Sequence, residues 1–402
     1  LKDDLVTNPI RICSVINGTS PGGAERMLQR LVTRTQSDDF EHLVLSLNHF
    51  GVVAEELTEA GINVESLEMH ERPARLPLTT WRLSRRLKQF QPDIVLTWLY
   101  VSDVVGTVAT KLAVPSAKLV WNVRHSTLDP AIDSRSLRLA ARVAGRFSKW
   151  APSRIVMNSY AAISAHCAVG YDRHRIEVIP NGFDTELFRP NPDERRRVRN
   201  EFGVSDAPPL IGLLGRYHPH KDHHTFLRAA RIVADARPDA RFLLCGMPSP
   251  ISTDEMSGLV AEFGLNDRVI LSSARSDMAA VNAALDISAC SSVTESFPNA
   301  VGEAMSCCVP CVSTFVGDAA LLIGETGQIV PPSDPIAFAS GLLSLLGLSE
   351  EERLQLGQRA RERIIERYSI DSVVERFVSL WCELTGREIP IATGTGFQRE
   401  AA

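Results

Sequence analysis

The chain has 402 residues, of which 44% are hydrophobic and 23% charged, and its net charge is −5. This composition is typical of a globular protein, and the length predicts two domains of about 150–200 residues each. No apolar run reaches the roughly 18–20 residues that span a bilayer, and the first residues lack the apolar core of a signal peptide, so we expect a cytoplasmic protein. We expect no nucleic-acid partner.

Short apolar runs alternate with helical stretches along the whole chain, a pattern typical of α/β units with parallel sheets. The predicted strands of the first half are residues 10–16, 42–48, 93–99, 118–124, 154–159 and 176–180. Those of the second half are residues 209–216, 241–247, 268–274, 286–292, 309–314 and 328–332. The predicted fold class is therefore α/β, with two Rossmann-like doubly wound domains and ligands bound at the carboxyl ends of their strands.

The domain boundary is predicted in the segment 181–203, which is rich in turn residues and then in charges. We accordingly expect an N-terminal domain over residues 1–184 and a C-terminal domain over residues 185–370. A helix at about 371–385 is expected to pack back on the first domain. Residues 386–402 have a low apolar density, which predicts a disordered tail.

The segment 18-GTSPGGAERM-27 joins the first predicted strand to the first predicted helix. Gly22 and Gly23 permit close approach of the backbone to a ligand, and a helix N-terminus offers free amides to an anion. The match to a dinucleotide-binding Gly-x-Gly-x-x-Gly pattern is poor. A plain turn is the alternative.

The segment 134-SRSLRLAARVAGRFSKW-150 contains no acidic residue, and its cations recur at helical spacing. The cationic stripe consists of Arg135, Arg138, Arg142, Arg146 and Lys149. The adjoining apolar face consists of Leu139, Val143, Phe147 and Trp150. Such a helix can lie on an anionic membrane surface, and a solvated basic face is the equal alternative.

The segment 215-GRYHPHKDHHTFLRAA-230 follows a predicted buried strand. Arg216 lies at the carboxyl end of that strand and Lys221 follows five residues later, and two fixed cations suit a diphosphate leaving group. Solvated surface cations are the alternative. Four histidines of this segment, His218, His220, His223 and His224, raise the question of a metal, but their spacing suits one poorly.

The segment 295-ESFPNAVGEAM-305 predicts a helix from about residue 298 to 307, because proline favours a first helical turn. Its N-terminus is a candidate anion site. Because Pro298 has no N–H, the predicted phosphate donors are the amides of Asn299, Ala300 and Val301.

Two glutamates flank that helix start, and their spacing argues against a close acid/base pair. Glu295 lies on the loop before the helix, whereas Glu303 lies about a turn and a half inside it. A carboxylate such as Glu303 accepts two hydroxyl hydrogen bonds and so suits a ribose diol, with a solvated helix residue as the alternative. Small side chains at Ala300 and Gly302 are expected to let a ligand approach.

Four segments carry a resemblance to a known family, in the order that the family has them: 22-GGAERM-27, 179-IPNGFDTELFRP-190, 215-GRYHPHKDHHTFLRAA-230 and 295-ESFPNAVGEAMSCCVPCVST-314. From about residue 10 to 385 the chain resembles the retaining glycosyltransferases of family four, which have the two-domain GT-B fold. The resemblance implies a metal-independent enzyme without a cofactor that uses a nucleotide-diphosphate sugar. It also implies a glycan or lipid-linked glycan acceptor, in cell-surface polysaccharide or glycolipid synthesis.

The resemblance implies roles for the residues of the two C-terminal segments. Arg216 and Lys221 resemble the pair that binds the donor's phosphates. Glu303 resembles the residue that holds the nucleotide ribose, and Glu295 the one beside the donor sugar near the reacting bond. In this mechanism the leaving phosphate takes the acceptor's proton, which agrees with the absence of an evident general base and of an Asp-x-Asp metal motif.

The resemblance implies further roles in the N-terminal half. Gly22 and Gly23 resemble a glycine pair that faces the donor phosphate. His125 follows a predicted strand where many family members have a histidine near the donor sugar, although Arg124 is adjacent and either side chain can face the ligand. A structural histidine is the alternative. The family's usual glycine after the motif lysine is Asp222 here.

Two other functions remain open at this point. A nucleotide-sugar epimerase of the same fold would need acids and a histidine placed for elimination. A non-catalytic nucleotide-binding protein would not need the retained cations and glutamates. A lipid-linked acceptor would agree with a peripheral position of residues 134–150 on the inner face of the plasma membrane.

Overall fold

The computed structural model describes residues 8–20, 22–69, 73–130, 133–247 and 250–389. The predicted disordered tail lies outside the described residues from residue 390 onward. That expectation therefore stays a prediction.

The first sheet has seven strands within the described residues, and β1 to β5 pair in parallel. Its strands are β1 Ile10–Ile16, β2 Phe40–Ser46, β3 Asn63–Ser66, β4 Ile94–Trp98, β5 Lys118–Val123, β6 Arg154–Met157 and β7 Ile176–Val178. They lie in the order β3-β2-β1-β4-β5-β6-β7. The strand order changes direction between β1 and β4, as in doubly wound folds.

The second sheet has six parallel strands within the described residues. They are β8 Leu210–Leu214, β9 Arg241–Met247, β10 Val269–Ser273, β11 Ile287–Cys290, β12 Cys311–Thr314 and β13 Gly327–Val330. Their order is β10-β9-β8-β11-β12-β13, so the direction changes between β8 and β11. Ligands bind beside the strand ends at such a change.

Helices connect the strands of both sheets. Those of the first half are α1 Gly23–Thr35, α2 Val52–Glu59, α3 Leu76–Phe90, α4 Tyr100–Ala113, α5 Arg135–Phe147 and α6 Ala161–Ala168. Those that follow are α7 Pro192–Glu201, α8 His223–Ala236, α9 Pro250–Glu262, α10 Met278–Ala284, α11 Asn299–Ser306, α12 Ala319–Ile323, α13 Pro335–Leu346, α14 Glu350–Tyr368 and α15 Ile370–Thr385. Among the described residues, no helix has both the length and the apolar character that crossing a bilayer requires.

Local signals explain where several helices begin. Asn191 caps α7 and Asp334 caps α13 through their side chains, and each is followed by a proline in the first turn. Ser349 and Glu352 form a reciprocal capping box at the start of α14. Side-chain oxygens satisfy backbone amides that have no partner inside the helix, which fixes the helix start.

The predicted α/β fold class with two doubly wound sheets is confirmed, and all twelve predicted strands are present with small differences at their ends. The strand that the sequence did not predict is β3. Its residues Asn-Val-Glu-Ser are few and mostly polar, because β3 lies at the edge of its sheet. A short edge strand lacks the apolar run by which buried strands are recognised.

The chain divides into two compact units according to its internal contacts. The first comprises Leu1–Val123, Arg146–Val156 and Asp371–Ala402, and the second comprises Arg124–Gly145 and Met157–Ile370. Segments 124–145 and 157–184 thus group with the second unit, whereas most of α15 groups with the first. The domain boundary at residues 184/185 stays a prediction.

Gly302 of α11 lies against the ring of Phe183, and a Cβ on this glycine would overlap that ring. Phe183 is completely buried and stacks on Phe297, with 6.0 Å between the ring centroids. Gly302 is itself buried. The expectation that Gly302 gives a ligand access is therefore corrected: its missing side chain makes room for the Phe183 ring.

We predict that Gly302→Ala destabilises the protein by about 1–3 kcal/mol, because the added methyl group must displace a ring in a packed core. The measurement is the free energy of unfolding from chemical denaturation. The matched control is Gly258→Ala in α9, an exposed helical position where a Cβ would meet no atom within 4 Å. Equal stability of Gly302→Ala and the wild type would contradict this account of the packing.

Candidate functional site

The predicted site residues of the C-terminal half lie at the carboxyl ends of β8 and β11, where the strand order changes direction. β8 leads into Gly215 and Arg216, and β11 leads into the loop that carries Glu295. Parallel strands that are neighbours in a sheet end at the same edge, so the two segments meet there.

Lys221 and Glu295 form an ion pair at this edge. The Lys221 Nζ atom lies 2.6 Å from Glu295 Oε1, and the Ser292 hydroxyl donates a hydrogen bond of 2.8 Å to the same oxygen. The two charged side chains are only 23% and 17% exposed. The carboxylate thus holds the lysine in place, a role of Glu295 that the sequence did not predict.

The Lys221 ammonium has a raised pKa. Burial alone would lower the pKa of Lys221, but the nearby charges of Glu295 and Cys290 and the hydrogen bond to Glu295 outweigh burial. The lysine is therefore kept in its charged form, which is the form that can bind a phosphate oxygen.

Hydrogen bonds from the β11 side fix the backbone around Lys221. The Ser291 hydroxyl donates to the carbonyl oxygens of Lys221 at 2.7 Å and Asp222 at 3.1 Å. The Val293 amide donates to the His220 carbonyl oxygen at 2.8 Å. The position of the lysine is thus set by the loop after β11 as well as by its own loop.

Asp222 takes a left-handed conformation, with φ of +46°, at the position where the resembled family usually has glycine. Aspartate tolerates this conformation better than most residues. The Asp222 side chain also accepts a hydrogen bond of 3.1 Å from the Thr225 amide, which caps α8. The departure from glycine therefore keeps the turn and adds a helix cap.

Arg216 is exposed and, within the described part of the chain, makes no hydrogen bond or ion pair. The glycine before it has φ of +153°, and Gly246 at the end of β9 packs so closely that a Cβ on Gly246 would overlap the Gly215 carbonyl group. Gly246 was not predicted as a site residue. Arg216 therefore lies on a tightly packed turn, and its guanidinium group is accessible.

The predicted helix after Glu295 is confirmed as α11, but Pro298 lies just before the first helical residue. The Val301 amide donates to the Pro298 carbonyl oxygen at 3.1 Å. The expectation that Val301 donates to a phosphate is therefore corrected, because its N–H is used within the first turn. The amides of Asn299 and Ala300 remain as the predicted phosphate donors of the helix start.

Arg124 joins a chain of side chains that reaches α11. Its guanidinium donates to Asn181 Oδ1 at 2.8 Å, and Asn181 Nδ2 donates to Asn299 Oδ1 at 2.8 Å. Burial lowers the pKa of Arg124 to about 9. Arg124 therefore supports the start of α11 through its contact with Asn181.

The His125 side chain contacts Asp133, with 2.7 Å between His125 Nε2 and Asp133 Oδ1. The neighbouring Ser126 hydroxyl donates to the Glu295 carbonyl oxygen at 2.7 Å. The structure thus brings His125 to the loop of Glu295. Asp133 was not predicted, because it lies in an irregular loop with no periodic spacing from His125.

Glu303 is half-buried on α11, four residues after Asn299. Residues four apart lie on the same face of a helix, so Glu303 and Asn299 share one face of α11. This places a carboxylate one helical turn from the amides of Asn299 and Ala300. The ribose role of Glu303 stays a prediction.

Gly22 and Gly23 lie at the start of α1, in the first unit. Gly22 has an extended backbone just before the helix, and its carbonyl oxygen accepts a hydrogen bond of 3.0 Å from the Arg26 amide. Gly51 packs on the preceding loop so closely that a Cβ there would lie 2.7 Å from the Thr19 carbonyl oxygen. The proposed contact of Gly22 and Gly23 with a phosphate stays a prediction.

The four histidines near Lys221 have separate surroundings. His223 is buried with its ring edge against Tyr217, whereas the rings of His218 and His220 lie 4.3 Å apart. Burial lowers the pKa of His223 to about 4. Over the described ranges, no group of three or more His, Cys, Asp or Glu side chains is arranged to hold a metal ion.

Two family models match the chain. Residues 21–187 match the model described as Glycosyltransferase Family 4. Residues 208–347 match the model described as Glycosyl transferases group 1. The two matches cover most of both halves of the chain and include each candidate site residue of the C-terminal half.

Similar proteins include two named D-inositol 3-phosphate glycosyltransferase. That of Corynebacterium glutamicum (strain R) is 33% identical over 200 residues, which cover 48% of this chain and 48% of the relative. That of Mycobacterium sp. (strain KMS) is 30% identical over 299 residues, which cover 70% of this chain and 66% of the relative. The chain thus spans about half the length of the first relative and just under two thirds of the second.

A crystal structure of Anabaena Alr3699/HepE in complex with UDP is similar in fold. Its TM-score is 0.81 at 23% sequence identity, and the match covers 93% of this chain and 100% of that chain. This agreement over nearly the whole chain confirms the predicted GT-B fold.

We predict that Glu295→Gln lowers the pKa of Lys221, because the opposing effect of burial then acts without the carboxylate charge. The measurement is an NMR titration of the lysine ε-carbons, with the Lys221 signal assigned from Lys221→Arg. The matched control, Ser292→Ala, removes the other hydrogen bond to the same oxygen and keeps the charge. If Glu295→Gln left the pKa of Lys221 unchanged, the ion pair would not be what keeps the lysine charged.

Proposed function

This chain belongs to glycosyltransferase family 4, and from that membership we propose that it is a retaining enzyme that uses a nucleoside-diphosphate sugar. The observation that carries the proposal is the Lys221–Glu295 ion pair beside the start of α11. A buried cation, an accessible arginine and free helix amides at one sheet edge form a site for a diphosphate.

The diphosphate is bound by the amides of Asn299 and Ala300 together with Arg216 and Lys221. An ammonium group has three donors, so Lys221 can bind a phosphate oxygen while it keeps its hydrogen bond to Glu295. Arg216, which has no partner among the described residues, supplies the second positive charge. Both cations then lie where negative charge develops on the leaving phosphate.

The position of the diphosphate at the start of α11 determines where the ribose and the sugar of the donor lie. Glu303, one turn along α11, accepts hydrogen bonds from the ribose hydroxyls, and Glu295 lies beside the transferred sugar. Structures of similar fold were solved with UDP and with UDP-glucose, which makes UDP-glucose the first donor to test.

The reaction replaces one bond to the anomeric carbon by another. The bond between the anomeric carbon and the phosphate oxygen breaks, and the acceptor's hydroxyl oxygen bonds to that carbon on the same face. The acceptor's proton passes to the departing phosphate oxygen. Arg216 and Lys221 stabilise the charge that grows on this phosphate.

The reaction itself is tested by incubating the protein with nucleotide sugars, alone and with acceptors, and following the products by proton NMR. Transfer with an unchanged anomeric configuration supports the proposal. An inverted configuration contradicts retention. Conversion of the donor into its epimer in the absence of an acceptor supports the alternative, a nucleotide-sugar epimerase of the same fold.

We predict that Lys221→Ala and Arg216→Ala each reduce the turnover number by about 10²-fold or more, because each removes a charge that stabilises the leaving diphosphate. The measurement is the steady-state rate with the native donor. The matched control is Arg196→Ala on α7, whose exposed arginine pairs with Asp193 of the same helix and, among the described residues, with no other acid. Near-normal rates of both site variants would contradict the phosphate assignment.

The acceptor is proposed to be a glycan or lipid-linked glycan, reached at an anionic membrane surface through α5. Leu139 of α5 is 62% exposed, and Trp150 is 57% exposed, an unusual position for large apolar side chains. The helix ends at Phe147, so Lys149 and Trp150 lie in the turn that follows it rather than on the predicted helical faces. The cations of the stripe that are exposed beside them are Arg135, Arg142, Arg146 and Lys149. Arg138, Val143 and Phe147 are partly buried, so the accessible surface is narrower than the sequence pattern suggested.

The buried side of α5 consists of small residues. Ala141, Ala144 and Gly145 are buried, and a Cβ on Gly145 would lie 2.5 Å from the Val169 carbonyl oxygen. The large apolar residues of this helix are therefore not all needed for its packing. Exposed apolar and cationic side chains on α5 and on the turn that follows it support contact with anionic lipid.

We predict that the wild type co-sediments with anionic vesicles and that changing Arg138, Arg142 and Arg146 together to Glu abolishes most of this binding. Each cation near an anionic surface contributes about 1 kcal/mol, so reversing three charges has a large effect. The measurement compares vesicles with anionic and with neutral headgroups.

The control variant has the same total charge as the α5 variant, in which three arginines are changed to Glu. Arg228, Arg359 and Arg367 are exposed on α8 and α14 and are changed together to Glu. This variant should bind anionic vesicles more strongly than the α5 variant. Equal binding of the wild type and the α5 variant would contradict membrane contact through α5.

A further inference from the structure

Asp133 is a buried carboxylate that none of the sequence motifs contains. Its side chain is only 3% exposed. One carboxylate oxygen lies 2.7 Å from His125 Nε2, and the other accepts a hydrogen bond of 3.2 Å from the Thr127 hydroxyl. Both oxygens are therefore engaged by residues of the short segment that follows β5.

This contact determines which nitrogen of His125 carries the proton. An ionised carboxylate only accepts hydrogen bonds, so a neutral His125 must carry its proton on Nε2. Nδ1 is then the acceptor nitrogen of the ring. Histidine rings held by a carboxylate on one nitrogen have both their orientation and their tautomer fixed in this way.

The ring is also held close to the diphosphate site. Ser126, the next residue, donates to the Glu295 carbonyl oxygen, and the Glu295 carboxylate pairs with Lys221. Burial lowers the pKa of His220, and the nearby Asp133 and Glu295 carboxylates act in the opposite direction. His125 therefore lies within electrostatic reach of the residues that bracket the reacting bond.

We propose that Asp133 is a positioning residue of the transfer reaction, which fixes the orientation and the tautomer of His125 beside the loop of Glu295. This inference rests on the proposed function. Asp133 touches neither substrate and acts through the imidazole. The competing interpretation is that Asp133 only stabilises its loop. In that case Asp133 affects the stability of the protein but not the tautomer of His125.

The first test reads the tautomer without any substrate. We expect the imidazole ¹⁵N spectrum of the wild type, assigned with His125→Gln, to show His125 protonated on Nε2. In Asp133→Asn the carboxamide can donate as well as accept, so the tautomer is no longer fixed and the ¹⁵N shifts of His125 change. The control Thr127→Val removes the other hydrogen bond to Asp133 and should preserve the wild-type pattern.

The second test is a double-mutant cycle on the turnover number. We expect Asp133→Asn to reduce it about tenfold when His125 is present and by less than about twofold in a His125→Ala background, because contacting residues that act together are not additive. The donor's KM should change less than the turnover number in Asp133→Asn.

Two results would overturn the inference. The first is a His125 ring whose ¹⁵N shifts are identical in the wild type and in Asp133→Asn. The second is a loss in turnover from Asp133→Asn that is equal in both backgrounds, since this would show a role independent of His125. Absence of any transfer by the wild type would contradict the proposed function instead, and the ¹⁵N spectra would still decide the role of Asp133 toward His125.

Discussion

The arrangement of the candidate site depends on one buried ion pair, between Lys221 after β8 and Glu295 after β11. A charged ammonium in a largely buried position is stable only when a partner of opposite charge is fixed beside it. That requirement explains why Ser291, Ser292 and Val293 all hydrogen bond to the ion pair or to the loop around Lys221. The pair therefore joins two neighbouring strands and fixes the position of the positive charge.

The same edge brings together groups that each bind anions weakly alone. Asn299 and Ala300 offer amides at the start of α11, and Arg216 stands on the turn after β8. Because Glu295 balances the charge of Lys221, the excess positive charge lies on Arg216 and on the helix start. In the proposed function a diphosphate neutralises this excess, with Lys221 beside the leaving oxygen.

The sequence predicted the two doubly wound sheets well, because buried parallel strands are recognisable as apolar runs between helices. It also predicted Arg216 at the carboxyl end of a strand, and the resemblance implied that Arg216, Lys221, Glu295 and the start of α11 serve one donor. It failed where tertiary contacts decide the outcome. The ring of Phe183 that packs on Gly302 comes from a segment distant in sequence, and Asp133 contacts His125 from an irregular loop, so neither leaves a periodic signal. The error at Val301 is local instead, because its amide is used within the first turn of α11.

The most direct test of the central claim is a crystal structure of the protein with UDP. The account predicts that the diphosphate lies over the start of α11, within hydrogen-bonding distance of the Asn299 and Ala300 amides, with Lys221 and Arg216 on its oxygens and Glu303 on the ribose. A diphosphate bound elsewhere, with Lys221 still paired only to Glu295, would contradict it.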